Sequence, residues 1–416
     1  MADLSVLEVR LHGRPIGTLT RYGGDRVLFG FDQDYIDDPR RDVLSLSFKD
    51  QYGELITDIR PTQTRVMPFF ANLLPEGPMR AYLARRAGVN AAREFFLLWA
   101  LGQDLPGAVT VRPATGETLP QDAPVTVEEA RGRRRPDDRG RPLRFSLPGV
   151  QLKFSALAEA SGGLTIPVDG VGGSWIVKLP SATFDAVPEN EYAMMSLAKR
   201  IGIDTPEIRL VPVDDIAGLP EGIAGLGKTA FAIRRFDRPR AGEAIHVEDF
   251  AQVFGIYPER KYERASYKNI AEVLWAEAGE TAVAEFVRRL VFSTLIGNAD
   301  LHLKNWSLIY PDRRQAALAP AYDYVSTIAY IDDNGMALNY ARTRRFDALT
   351  EDELNYLAAK ARLPGRLVLA SAREAVDRFR QVWPAAKHGL GLVAASVDKI
   401  DKHLERIPLF STSRSG

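Results

Sequence analysis

Val283, Phe286, Val287, Leu290, Val291, Thr294 and Leu295 recur at i, i+3, i+4, i+7 and i+8. That spacing lines one face of a helix with apolar side chains and turns the face toward a core. The pattern ends at Gly297, directly before the polar run NADLHLKN, residues 298 to 305. A core helix that stops there delivers Asp300, His302 and Asn305 to one place at its end. From about residue 245 onward the chain reads as mainly helical.

Upstream the period changes. Residues 1 to about 60 alternate apolar and polar side chains in LSVLEVRL and RVLFGF, with Gly-rich turns between them, as half-buried strands do. MPFFANLLPEGPMRAYLARRAG reads as a loop leading into a helix that closes near Gly88, and AAREFFLLWALG as a second helix stopping at Gly102. Residues 113 to 142 are rich in Pro, Gly and charge and carry little periodicity, which reads as a solvated linker; its Arg133-Arg134-Arg135 run could also touch nucleic acid. Short strands follow in VQLKFSAL, LTIPV and SWIVKLP, then a helix in PENEYAMMSLAKRIGI, then strands in PEIRLVPV and KTAFAIRRF.

The expected organisation is a β-rich subdomain over 1–112, a linker over 113–142, a lobe of strands with one helix over 143–240, and an all-helical C-terminal lobe over 241–416. The expected fold class is α+β, in a two-lobed arrangement like that of protein kinases.

Composition removes several classes of function. The chain has 416 residues and no cysteine, so disulfides, cysteine zinc sites and cysteine nucleophiles are excluded. Its five histidines show no paired metal-ligand spacing. Lys plus Arg and Asp plus Glu both number 54, so a global basic field for nucleic acid is absent. Asp3, Glu8 and Arg10 interrupt any signal-peptide run, and no stretch approaches the roughly twenty apolar residues of a spanning helix. A soluble cytoplasmic protein is expected.

One string invites a misreading. Gly222 to Thr229 fits G-x-x-x-x-G-K-[ST], the phosphate cradle of P-loop hydrolases. A P-loop needs a helix right after its Lys-Ser/Thr, with the helix N-terminus on the phosphates. Here AFAIRRF follows, with the alternation of a strand, and DDIAGLPEG upstream is turn chemistry. The string reads as a turn between two strands.

A second pattern carries more chemistry. Asp300 and Asn305 have the D-x-x-x-x-N spacing of a kinase catalytic loop, in which the Asp takes the proton of the attacking hydroxyl and the Asn holds Mg²⁺. Asn305 opens a strand, PDRR is a turn, and the return brings Asp323 beside Asn305. Two hard oxygen ligands plus ATP phosphates suit Mg²⁺. Lys178 stands near the end of a strand, the setting of the kinase lysine that grips the α/β-phosphates, and Glu191 on the next helix could pair with it. The same residues also admit plain structural roles: Asp300 and Asp323 as turn caps, Lys178 as an edge-strand charge, Glu191 on a solvated helix face.

Taken together, FFANLLPEG (69–77), SLPGVQLKFSA (146–156), IVKLP (176–180), ENEYAMMSLAKRIGI (189–203), RFDR (235–238), VEDFAQVFGIYPERKYE (247–263), NADLHLKNWSL and AYDYVST resemble, in order, the HipA-type serine/threonine kinases, toxins of bacterial toxin–antitoxin pairs. The phosphate-loop segment departs from protein kinases in having only Gly149 where they have three glycines, and Tyr322-Asp323-Tyr324 is not Asp-Phe-Gly. The resemblance implies Asp300 as catalytic base, His302 near nucleotide or substrate, Asn305 and Asp323 on Mg²⁺, and Lys178 on the ATP phosphates. It implies Gly149, Val150 and Gln151 in the phosphate loop, the backbone of Ile233, Arg235 and Phe236 facing adenine, and Tyr322 packing by the nucleotide. It implies Ser146 as an inactivating autophosphorylation site. The implied partners are a small helix-turn-helix antitoxin, operator DNA mainly through that antitoxin, and an aminoacyl-tRNA synthetase as substrate, glutamyl-tRNA synthetase above all. A kinase-fold binding protein acting as co-repressor is the alternative.

Overall fold

Alternating burial along the first strands builds the N-terminal subdomain. In the computed structural model, which describes residues 4–120, 123, 153–158, 164–166, 172–219 and 227–411, β1 (Ser5–Leu11) buries every second residue. β1 pairs with β2 (Arg14–Tyr22), β2 with β3 (Arg26–Phe31), β3 with β4 (Thr62–Gln63), and β5 (Val109–Pro113) closes the other side, all antiparallel in the order β4-β3-β2-β1-β5. Helices α1 (Pro68–Leu73), α2 (Gly77–Arg86) and α3 (Glu94–Leu101) follow this sheet's first strands in the chain. Phe29, Phe48, Phe69, Phe70, Phe95 and Phe96 fill the core of this subdomain. The segment expected as a loop at the start of MPFFANLL is α1 instead. Pro68 sits at its first position, where a missing N–H costs nothing. Ala123, inside the stretch expected as linker, is buried against this core, its carbonyl accepting the Asn90 N–H at 3.0 Å.

The second sheet runs β10-β7-β6-β8-β11-β9, from β6 (Lys153–Ala158), β7 (Leu164–Thr165), β8 (Trp175–Lys178), β9 (Ile208–Pro212), β10 (Ile216–Ala217) and β11 (Thr229–Arg234). Between β8 and β9 lies α4 (Val187–Arg200), packed on β9 and β11. Arg133 to Arg135, Ser146, Gly149, Val150, Gln151 and Gly222 to Leu226 lie outside the described residues.

The C-terminal lobe is helical in bulk: α5 (Tyr267–Glu277), α6 (Gly279–Leu295), α7 (Glu351–Lys360), α8 (Gly365–Ala386) and α9 (Ala394–Glu405). It is not helical throughout, as the sequence reading had it. β12 (His246–Asp249), β13 (Ser307–Tyr310) and β14 (Ala317–Leu318) form a three-stranded antiparallel sheet, and β13–β14 is the hairpin expected after Asn305. α6 is the helix of the apolar stripe, and α5 and α8 pack against it. Among the described residues no helix is long and apolar enough to cross a membrane.

The N-terminal subdomain is keyed into both lobes by buried polar groups. Glu248, fully buried on β12, accepts from Ser45 Oγ, from the Leu46 N–H at 3.0 Å and from Tyr310 Oη at 2.5 Å. Gln252 Nε2 donates to the Phe69 carbonyl at 3.0 Å, and Asn72 Nδ2 to the Ile256 carbonyl at 2.8 Å. Near the end of β11, Asp237 lies against Arg235 and Arg238, and Asp104 of the N-terminal subdomain lies 3.3 Å from Arg235. Buried charges persist in proteins when they are paired in this way.

Candidate active site

The end of α6 sets the first side chains. Gly297 has φ +65, and a Cβ there would lie 2.4 Å from Ile328 Cδ1. Only glycine lets the chain turn sharply off the helix while residues 326–328 pack against it. The Ala299 N–H then donates to Thr327 Oγ1 at 2.8 Å, and the Asp300 N–H to Asn298 Oδ1 at 3.0 Å. Asn305 Oδ1 accepts the His302 N–H at 3.1 Å. These bonds hold 298–305 as a rigid turn and present Asp300 to solvent in the cleft.

The β13–β14 hairpin returns the chain to Asp323. Asn305 Nδ2 donates to Asp323 Oδ2, so the two expected metal ligands touch. Asp323 has φ +65, a left-handed conformation that Asp and Asn tolerate better than other L residues. Tyr322 is tied down beside it: its hydroxyl donates to the Lys304 carbonyl at 2.9 Å and meets Ser307 Oγ at 2.5 Å.

The second sheet brings the cation. Lys178 ends β8, opposite Lys153 on β6 and Phe231 on β11. Its Nζ lies 2.5 Å from Glu191 Oε1 and 2.5 Å from Asp323 Oδ1. Glu191 is buried on the inward face of α4. One residue earlier, Asn190 clasps the segment after Asp323: its Nδ2 donates to the Ser326 carbonyl at 3.1 Å and its Oδ1 accepts the Ser326 N–H at 2.9 Å. These two bonds join the helix to the segment after Asp323.

The electrostatics follow from burial and these pairings. Burial opposes the Asp323 carboxylate, but Lys178 and Lys153 outweigh it and hold the group well below its usual range. Burial pushes Glu191 up to about 7 despite Lys178, in keeping with an Oε2 that has no hydrogen-bond partner. Lys178 is shifted upward: two carboxylates overcome its desolvation. Asp300 is raised by the protein crowded around it and by Asp323, against a hydrogen bond from Tyr262. His302 is brought down to about 3 by burial and by Lys261, so its ring is neutral.

Lys178, Asp300, His302, Asn305, Tyr322 and Asp323 thus converge on one cleft, with Glu191 buried behind Lys178. Phe236 joins them, its ring centroid 5.8 Å from that of Tyr322. Ile233 lies within β11, paired to Ile176 on one side and Ile208 on the other. Arg235 is engaged elsewhere. Its N–H donates to the Ser174 carbonyl at 2.8 Å, and its guanidinium donates to Asp237, Asp104 and Ser155. The P-loop string is not a phosphate cradle, because Thr229 opens strand β11 where such a cradle needs a helix.

Three contributors had no signal in the sequence. Glu76, from the turn before α2, lies 2.9 Å from Lys304 and 3.0 Å from Lys261. Tyr262 Oη donates to Asp300 Oδ1 at 2.5 Å. Asn190 stood unmarked beside Glu191 in the helix PENEYAMMSLAKRIGI.

Comparison with known proteins places these features in a group. The family model described as HipA N-terminal domain matches residues 7–112, and the one described as HipA-like C-terminal domain matches residues 145–383. A Sinorhizobium fredii protein, Y4dM, whose name proposes a kinase, is 54% identical over 413 residues, covering 99% of both chains. The serine/threonine-protein kinase toxin HipA of Shewanella oneidensis is 28% identical over 306 residues, 65% of each chain. A solved Shewanella oneidensis structure, of HipA with HipB and its operator DNA, superposes with a TM-score of 0.71 at 23% identity, over 97% of this chain and 96% of that one. At that identity the superposition speaks for the fold.

Proposed function

Because the chain belongs to the HipA family of kinases, we propose that it is an ATP- and Mg²⁺-dependent serine/threonine protein kinase. The observation that carries this reading is the contact of Lys178 with both Glu191 and Asp323, with Asn305 on the far side of Asp323. A kinase site needs that lysine pair and that metal carboxylate in place together.

In this reading Asp300 takes the proton of a serine or threonine hydroxyl as its oxygen bonds to the γ-phosphorus. The bond from the γ-phosphorus to the β,γ-bridging oxygen breaks, and ADP departs. Lys178 neutralises the α/β-phosphates, and Glu191 keeps it aimed. Asn305 and Asp323, whose side chains touch, would hold Mg²⁺, an ion that takes one or two protein oxygens and otherwise phosphate and water; the Asn305 amide oxygen, which here accepts the His302 N–H, would have to turn to the ion. Bound there, Mg²⁺ would neutralise charge on the β/γ-phosphate oxygens. Tyr322 and Phe236 form the aromatic wall for the nucleotide, with Ile233 behind it in β11. The phosphate loop would be Gly149, Val150 and Gln151.

The biological reading rests on the family. The chain would be the toxin of a toxin–antitoxin module, held by a small helix-turn-helix antitoxin and reaching operator DNA through it, in the cytoplasm. Its substrate would be an aminoacyl-tRNA synthetase, with glutamyl-tRNA synthetase favoured, so that phosphorylation halts charging and growth. Phosphorylation of Ser146 would switch the enzyme off.

The test is transfer of labelled phosphate from ATP to proteins of a cell extract. Asp300→Ala should lower transfer by roughly 10²–10⁴-fold, the usual share of a positioned base. Equal labelling by wild type and variant would rule out the assignment of Asp300. Peptide mapping after incubation with ATP should find phosphate on Ser146 and none in Ser146→Ala.

A further inference from the structure

The Tyr262 hydroxyl is the donor on the carboxylate proposed as base. It donates to Asp300 Oδ1 at 2.5 Å. A general base must lie within about 2.6–3.2 Å of the hydroxyl it deprotonates, and the phenol oxygen is a hydroxyl at about that distance. We propose that Tyr262 holds the acceptor-hydroxyl position on Asp300, keeps water from it, and yields that position to the serine or threonine hydroxyl of the substrate. This rests on the reading of Asp300 as the base.

The surroundings favour a ring that is held in place but can swing out. Tyr262 is 46% exposed, and the Lys261 ammonium lies over its ring, 5.7 Å from the centroid. The ring meets His302 edge-on, with ring centroids 5.1 Å apart. The backbone on either side is pinned. The Lys261 N–H donates to the Pro258 carbonyl at 3.3 Å, the Lys261 carbonyl accepts the Leu303 N–H at 3.3 Å, and the Glu263 N–H donates to the Arg260 carbonyl at 2.9 Å. Motion is thereby left to the side chain. An exposed aromatic ring flips between rotamers in picoseconds to nanoseconds, far faster than a turnover.

The charged and titratable groups facing Asp300 are Tyr262 and Lys261 from its own side of the cleft, and Asp323 and Lys178 from the opposite side; His302 is neutral. Of these, the Tyr262 hydrogen bond and the two lysines favour the carboxylate, and Asp323 disfavours it. Taking away the phenol oxygen alone therefore moves the Asp300 titration upward. That shift reports the hydrogen bond itself; faster reaction with water is the effect a purely structural tyrosine would not give.

The experiment uses the full chain with ATP and Mg²⁺ and no protein acceptor, so that water is the acceptor and ADP release is the readout. Fluorescent ADP binding reports an intact nucleotide site. Tyr262→Ala should hydrolyse ATP faster, on the order of tenfold, a part of what a positioned base supplies. Tyr262→Phe keeps the ring and should shift the acid limb of the pH–rate profile upward. Both should bind ADP as wild type does. If both variants match wild type in rate and pH profile, or lose ADP binding, or hydrolyse more slowly, the proposal for Tyr262 fails while the base reading stands. If Asp300→Asn hydrolyses ATP as fast as wild type, the base reading itself fails and takes this proposal with it.

Discussion

The Glu76 carboxylate of the N-terminal subdomain lies 2.9 Å from the Lys304 ammonium in the turn that follows α6. The neighbouring Asn72 carbonyl accepts from the same ammonium at 3.0 Å. The N-terminal subdomain is therefore part of the cleft wall, and its loss would leave two lysines of the cleft without their carboxylate.

Glu76→Gln should reduce both stability and turnover. It leaves Lys304 and Lys261 short of a charge partner, a loss of about 1–3 kcal/mol for a partly buried group. Both lysines, by contact and by charge, hold Glu76 down at about 2 against its burial. Its folded value is thus depressed, so its contribution is present above its ordinary value of 4.5 and lost as pH falls from there toward 2. Thermal melts between pH 3 and 7 should show a shallower acid loss in the variant. An unchanged acid slope would contradict the pairing.

Glu191 should tune nucleotide binding near neutrality. Burial raises it to about 7, so below that pH it is protonated and Lys178 keeps only Asp323 as a close anionic partner. ATP affinity should then fall as the pH drops from 8 to 6. Glu191→Gln should bind about tenfold more weakly at pH 8, one pKa unit's worth of interaction, with little pH dependence. Calorimetric titration at three pH values decides it; a variant that retains the wild-type pH dependence refutes it.

The joint between Glu248 and the N-terminal subdomain should weaken as pH rises. Burial pushes Glu248 up to about 7 in spite of its hydrogen bonds from Ser45, Tyr310 and Leu46. A folded value above the ordinary 4.5 means that the contribution is full below 4.5 and lost as pH rises through about 7. Glu248→Gln should be tolerated and should flatten that part of the melting curve against pH. Glu191 shares the window, so some slope will survive the single variant.

Asp237→Ala should be among the most damaging changes outside the cleft. It strips Arg235 and Arg238 of a buried partner and leaves the Gly107 N–H without its acceptor at 2.9 Å. Breaking one side of a buried ion pair costs about 3–5 kcal/mol. Urea unfolding followed by tryptophan fluorescence should show the loss, whereas Arg234→Ala, on the exposed side of β11, should lose under about 1 kcal/mol.

How much of this was legible in the sequence depended on the distance over which a contact acts. The stripe of α6, its stop at Gly297 and the hairpin from Asn305 to Asp323 are local, so spacing alone brought the polar residues together. Lys178 and Glu191 needed only a strand end and the next helix. Helix α1 escaped because six residues are under two turns and all of Phe69 to Leu73 are buried, leaving no polar face to mark a period. Strand β12 escaped because its partner, β13, lies far along the chain. Glu76 with Lys304, Tyr262 with Asp300, and Asp104 with Arg235 join segments far apart in the chain, and no local pattern records which charge meets which.

The left-handed backbone at Asp323 also shapes how this position can change by mutation. Alanine, glutamate or serine there must bear a strain of roughly 1–2 kcal/mol besides losing or displacing the carboxylate. Asparagine and glycine keep the turn. A relative that had given up catalysis while keeping its architecture would therefore drift first to Asn or Gly at this place. In the proposed kinase reading, asparagine or glycine at this place would keep the backbone turn while removing the carboxylate proposed to hold the metal.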